Sequence, residues 1–171
     1  MGNGEGRQRV LVTAPVVADA SPLIALQQIG QLHLLQALFS EVIVPPAVAR
    51  EIQPSVPGVP WIIERALAQP VAPLVLRASL GAGESEALSL AVEARAGRLL
   101  VDERAARRAA EALGLSVVGT LGVLLAAKRK GLIAELRPLV DELARQGFWV
   151  SPRLVRQALL AAGEVMRGPT G

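Results

Sequence analysis

Residues 16–22 read VVADASP and residues 98–103 read RLLVDE, two stretches in which an apolar run stops at an aspartate, Asp19 in the first and Asp102 in the second. Buried parallel strands read as unbroken apolar runs, and open α/β sheets bind their ligands beyond the carboxyl ends of the strands. Ser21 followed by Pro22 predicts a helix beginning directly after Asp19, with serine as its N-cap and proline at its first position. Two strand-end carboxylates therefore suggest a site for a hard metal ion.

Outward from these stretches the chain alternates strands and helices, which implies an α/β fold whose parallel sheet is covered on both faces. EVIV at 41–44 and LSVV at 115–118 predict further strands. The pair Pro45-Pro46 starts a helix that Pro54 ends. The helix that starts after Asp19 runs to Gly30, and other helices are predicted over 32–39, from Gly81 and Gly83 to about 97, over 103–113, and from a Thr120 cap to Gly131. A longer helix over 132–146 contains Pro138, which should kink or split it. FWV at 148–150 predicts a last short strand, and Ser151-Pro152 starts a final helix. The proline-rich segment from Gln53 to Pro73 predicts irregular structure with at most one helix or strand.

At 171 residues, 51% of them hydrophobic, the chain suits one domain with a full core. Residues 1–14 are expected to be a flexible leader, 15–150 the domain, and 151–171 a C-terminal helix and tail of the same domain. Aromatic residues make up only 2%, so Ala, Val, Leu and Ile must fill the core, which counts against a reader that stacks bases on an aromatic platform. The net charge of +3 is mild. The absence of cysteine excludes disulfides, thiolate metal sites and cysteine nucleophiles. The apolar stretch after Arg7 and Arg9 is short, broken by Pro15 and ends in Asp19, so it is no signal peptide. Gly6 stands where a myristoylation signal needs Ser or Thr. No run approaches the ~20 apolar residues of a membrane span, and a soluble, cytoplasmic protein without membrane attachment is expected.

Each acid has a plain structural alternative. Asp19 could cap a helix, although Ser21 is the better candidate. Glu51, in PAVAREI, borders the apolar stripe of Val48 and Ile52 and could be a solvated residue paired with Arg50. Glu84 shares a helical face with Ala87, Leu88 and Ala91, where a carboxylate is costly unless paired or metal-bound, though a first-turn acid also suits the helix dipole. Glu86 falls off that stripe with Leu90 and Glu93. Asp102 is followed by Glu103, and one of the two could cap the next helix. In that helix Arg104, Arg107, Arg108 and Glu111 share a face, either solvated or placed to grip phosphates beside the acids. Lys128-Arg129-Lys130 ends a helix, where the dipole favours cations. His33, the only histidine, lies away from the acids, so Ser-His-Asp chemistry and a two-histidine zinc site are excluded. Oxygen-only ligation favours Mg²⁺ or Mn²⁺.

VVADASPLIAL, IVPPAVAREI, LGAGESEALSLA, RLLVDERAARRAA and VVGTLGVLLAAKRKGLI, in this order from Val16 to at least Leu136, resemble the PIN-domain superfamily, and within it a prokaryotic PIN-like group related to VapC-type toxin ribonucleases. The resemblance implies a three-layer αβα fold with a small parallel sheet of 4–5 strands, whose strand-end acids bind divalent metal and hydrolyse RNA. Carried onto this chain, it makes Asp19, Glu51, Glu84 and Asp102 the catalytic acids. The metal ligands are then Asp19, Glu84 and either Asp102 or Glu103, where relatives often carry two aspartates. Ser21 and Thr120 match hydroxyl positions near such sites. Arg107 matches an arginine common after the acidic pair, and Arg104, Arg107 and Lys128 would position the RNA backbone. The resemblance further implies a type II toxin with a small antitoxin partner, and a homodimer; Leu154, Leu159 and Leu160 of the last helix could supply an apolar contact surface or equally complete the monomer's core. A PIN-like binding or regulatory protein with little nuclease activity is the rival reading. A phosphoacceptor receiver needs adjacent acids after its first strand, and a haloacid-dehalogenase-like phosphatase needs Asp-x-Asp; Asp19-Ala20-Ser21 provides neither.

Overall fold

The computed structural model describes residues 13–71, 75 and 78–164, so most of the expected leader and the end of the tail lie outside the described residues. Five short strands, β1 (Val16–Ala18), β2 (Val42–Val44), β3 (Ile62–Glu64), β4 (Arg98–Leu100) and β5 (Val117–Val118), form one parallel sheet in the order β3-β2-β1-β4-β5. Ala18 lies beside Leu100 in the register of β1 with β4, and the Asp19 N–H donates to the Leu100 carbonyl at 2.9 Å. Asp19 and Asp102 thus leave neighbouring strands at the same sheet edge. β1 and β2 are buried at every position, as unbroken apolar runs require when both faces are covered.

Among the described residues eight helices surround the sheet: α1 (Ala20–Gln28), α2 (His33–Phe39), α3 (Pro46–Ile52), α4 (Ala82–Glu93), α5 (Arg104–Ala112), α6 (Thr120–Arg129), α7 (Arg137–Arg145) and α8 (Pro152–Ala161). α4 packs against β1, β4, α3 and α5, while α6 joins α2, α8 and β5 in a three-layer α/β/α arrangement. Ala158 and Leu159 carry α8 into the common core, whose largest fully buried side chains among the described residues are all leucine. No helix among the described residues is long and apolar enough to cross a membrane.

Several sequence expectations are corrected. The N-cap of α1 is Asp19 rather than Ser21. First-turn N–H groups have no acceptor within their helix, so Pro22 fits the third helical position as well as the first. Likewise Gly119 caps α6, and Thr120 is its first residue. Pro138 neither kinks nor splits a long helix; residues 132–136 are non-helical and Pro138 sits in the first turn of α7. Phe148–Val150 pair with no strand. The proline-rich segment does supply one strand, β3, an edge strand too exposed to show an apolar run.

Candidate active site

The strand order places the site. β1, β2 and β3 advance in one direction from the centre, whereas β4 and β5 lie on the other side of β1. The switch point between β1 and β4 is where an open parallel sheet leaves a crevice at its carboxyl edge. Asp19 and Asp102 leave the two strands that bound this crevice.

Asp19 is only 3% exposed and makes no capping hydrogen bond into α1. Burial above all, offset in part by the Ala20 N–H and reinforced by the charges of Glu84, Glu51 and Asp102, brings its carboxyl up from the ordinary 3.8 to about 6. Every charge that shifts Asp19 therefore has its own sign. Glu51 approaches from α3: its Oε2 and the Oδ1 of Asp19 both flank Gly83, at 2.9 and 3.4 Å from where a Cβ would stand. Gly83, buried in the first turn of α4, is what lets two carboxylates converge over a helix backbone. Glu51 is exposed, and the ion pairs among the described residues, Lys128 with Glu164 and Arg145 with Glu142, do not include it.

Glu84 follows Gly83 directly but turns back, its Oε2 accepting from the Gly81 N–H at 2.7 Å. Asp102 accepts from Thr120 twice, from the N–H at 2.7 Å and from the hydroxyl at 2.6 Å, so it also closes the N-terminus of α6. Burial raises the Asp102 pKa, against the lowering effect of these two hydrogen bonds and of the Arg107 guanidinium. Arg107 Nη1 reaches the Val101 carbonyl at 3.4 Å and, with Asp102 Oδ1, crowds Gly119 so closely that a Cβ there would stand 2.6 and 2.9 Å from them. Glu103 points elsewhere: it is the N-cap of α5 and accepts from the Ala106 N–H at 3.0 Å. Ser21 is exposed on α1, and Thr120 is fully buried behind Asp102.

Among the described residues no three acidic side chains stand close enough together to enclose an ion. The donor chemistry nevertheless fits a hard divalent cation, because Asp19 is a buried carboxylate with like charges around it, opposed only by the Ala20 N–H at the start of α1. Asp19 and Glu51 form the convergent pair, while Glu84 and Asp102 stand beside it engaged by N–H and hydroxyl donors. A bonded carboxylate oxygen still keeps a second lone pair.

The basic residues separate into two groups. Arg104, Arg107 and Arg108 line a groove of about 1170 Å³ that Asp102 also lines. Lys128 does not join them, since it pairs with Glu164 at 3.6 Å and donates to the Ala134 carbonyl. Three roles escaped the sequence reading: Gly83 and Gly119 as points of close approach, and Glu86, whose Oε2 accepts from the Ala47 N–H at 2.8 Å to anchor α3. The glycines of GAGES and VVGT were the available signal for the first two.

A family model described as a PIN domain matches residues 15–164. No curated protein and no solved structure matches the chain.

Proposed function

The chain belongs to the PIN-domain family, a fold of the nuclease type, and from that premise we propose that it is a metal-dependent endoribonuclease that hydrolyses RNA phosphodiester bonds at the switch point of its sheet. The observation that carries the reading is Asp19: a buried carboxylate raised to about 6, whose charged neighbours Glu84, Glu51 and Asp102 all carry its own sign and which only the Ala20 N–H opposes. Structural acids are neutralised by a cation or spent on hydrogen bonds, whereas perturbed groups in a crevice mark functional sites.

Asp19 and Glu51 would hold Mg²⁺ or Mn²⁺, with Glu84 and Asp102 supplementing them. When bound, the ion would supply an activated water and a counter-charge for the phosphate. Thr120 holds both oxygens of Asp102, the charge of Arg107 favours its ionised form, and Asp102 itself lines the groove. Arg104, exposed at the start of α5, would draw the RNA backbone to the acids. The same reading makes a small antitoxin and a second copy of the chain the expected protein partners, for which Leu160, 67% exposed on α8, offers apolar surface.

Asp19→Asn should abolish cation-dependent cleavage of single-stranded RNA while circular dichroism shows an unchanged fold. Undiminished cleavage by that variant overturns the proposal. The open spacing of the acids favours one second reading, a PIN-like binding or regulatory protein, which would bind Mn²⁺ or RNA without cutting.

A further inference from the structure

The groove lined by Asp102 is also lined by Phe148, Trp149 and, from the start of α8, Leu154. Trp149 is 81% exposed, the most exposed of the large hydrophobic side chains among the described residues, in a chain with only two tryptophans. An indole left in water beside an apolar floor marks a contact surface. What occupies it is indicated by charge. Four arginines, Arg104, Arg107, Arg108 and Arg129, line the groove against two acids, Asp102 and Glu111. A folded protein partner with an apolar face would have to desolvate those guanidinium groups, whereas a nucleic-acid strand brings a phosphate for each and flat bases for the indole. Asp102 lines the groove and also leaves one of the two strands that bound the acid crevice, so a nucleic-acid strand lying in the groove meets one of the candidate acids.

We propose that this groove is a single-strand track, in which an unpaired base of the RNA stacks on Trp149 while Arg104, Arg108 and Arg129 hold phosphates of the same strand. The proposal rests on reading the acids as an RNA-cleaving centre. Stacking on Trp149 then sets which phosphodiester arrives at Asp19 and Asp102, which makes Trp149 a positioning residue for the site of cleavage. Arg107 takes less part, being held at the Val101 carbonyl.

The test uses the full chain with Trp61→Phe and Asp19→Asn, which leaves Trp149 as the only indole and stops cleavage. An oligouridylate of about ten nucleotides, within the usual span of a single-strand groove, should quench and shift the Trp149 emission. Inorganic polyphosphate should not. Loss of one stacked base is worth ~1–3 kcal/mol, so Trp149→Ala should weaken strand binding about 5- to 150-fold and Trp149→Phe much less. In the cleaving protein Trp149→Ala should also spread or move the cut positions.

The outcomes separate the two readings. Trp149-dependent strand binding in a chain whose wild type never cuts RNA supports the track and overturns the nuclease. Cleavage that Trp149→Ala alters in neither rate nor position overturns the track and leaves the nuclease standing. Loss of self-association in Trp149→Ala, seen by sedimentation with strand binding intact, assigns the indole to a second copy of the chain and overturns the track.

Discussion

Asp19 is held at a cost to the fold, and the sign of that cost can be worked out. Its carboxyl titrates at about 6 in the folded protein against 3.8 ordinarily, so the folded state binds the proton more tightly than the unfolded state. Below about pH 4 the residue is protonated in both states and the penalty is absent; as pH rises through 6 the penalty becomes complete, at roughly 3 kcal/mol. Asp19→Asn should therefore stabilise the cation-free protein at pH 7.5 by up to about 3 kcal/mol in urea unfolding with EDTA, and the gain should fade toward pH 4. A variant that is destabilised or unchanged at pH 7.5 would show that Asp19 already has its counter-charge within the protein. Thr120 poses the complementary case. Thr120→Val keeps the shape and the N–H but removes the buried hydroxyl that Asp102 accepts from, which should cost about 1–2 kcal/mol and raise the Asp102 pKa further.

At the scale of elements, α4 decides whether the acids converge. Its first turn brings Gly83 between α3 and β1, and a methyl group there would meet Glu51 Oε2 at 2.9 Å. Glycine to alanine within a helix ordinarily adds about 0.5–1 kcal/mol of stability, and the atom it would strike is the free end of an exposed side chain. Gly83→Ala should hence leave the melting temperature equal or higher while weakening Mn²⁺ binding by calorimetry, because Glu51 is driven from Asp19. Equal Mn²⁺ affinity in the variant would show that the pair is not the binding unit. The sequence disclosed the helical face of Glu84 but not its surroundings: α4 packs against two helices and two strands, so Leu90 and Ser89, off the supposed apolar stripe, are buried as well. Periodicity reports one covered face and cannot register a helix covered from several sides. For the same reason Glu86, read as facing away, is engaged at the start of α3.

For the whole molecule, the order of the strands carries information that no single segment holds. VVAD and RLLVD were each legible as strands ending in acids, since buried strands need no alternation to be recognised. That β4 returns beside β1, opening the crevice between Asp19 and Asp102, follows only from the assembled sheet. The assembly is closed at the other end by Glu164, which no local pattern marks. It accepts from the N–H groups of Leu136 and Arg137 at the start of α7 and pairs with Lys128 near the end of α6, so the segment after α8 is clasped to both helices. Burial pulls the Glu164 pKa upward, but these donors and the Lys128 ammonium outweigh it and hold the carboxyl below its ordinary 4.5. A lowered carboxyl contributes stability above its unfolded pKa and loses it as pH falls through the folded one, the reverse of Asp19. Glu164→Gln should thus lower the melting temperature at pH 7 by roughly 2–4 °C, on the scale of about 1 kcal/mol for a chain of this size, and have little effect near pH 3. Measured together in EDTA, Asp19→Asn should raise the melting temperature at pH 7 where Glu164→Gln lowers it, both effects vanishing in acid. Two carboxylates of one chain would then separate by the sign of their pH response into one that serves the fold and one that the fold carries for the site.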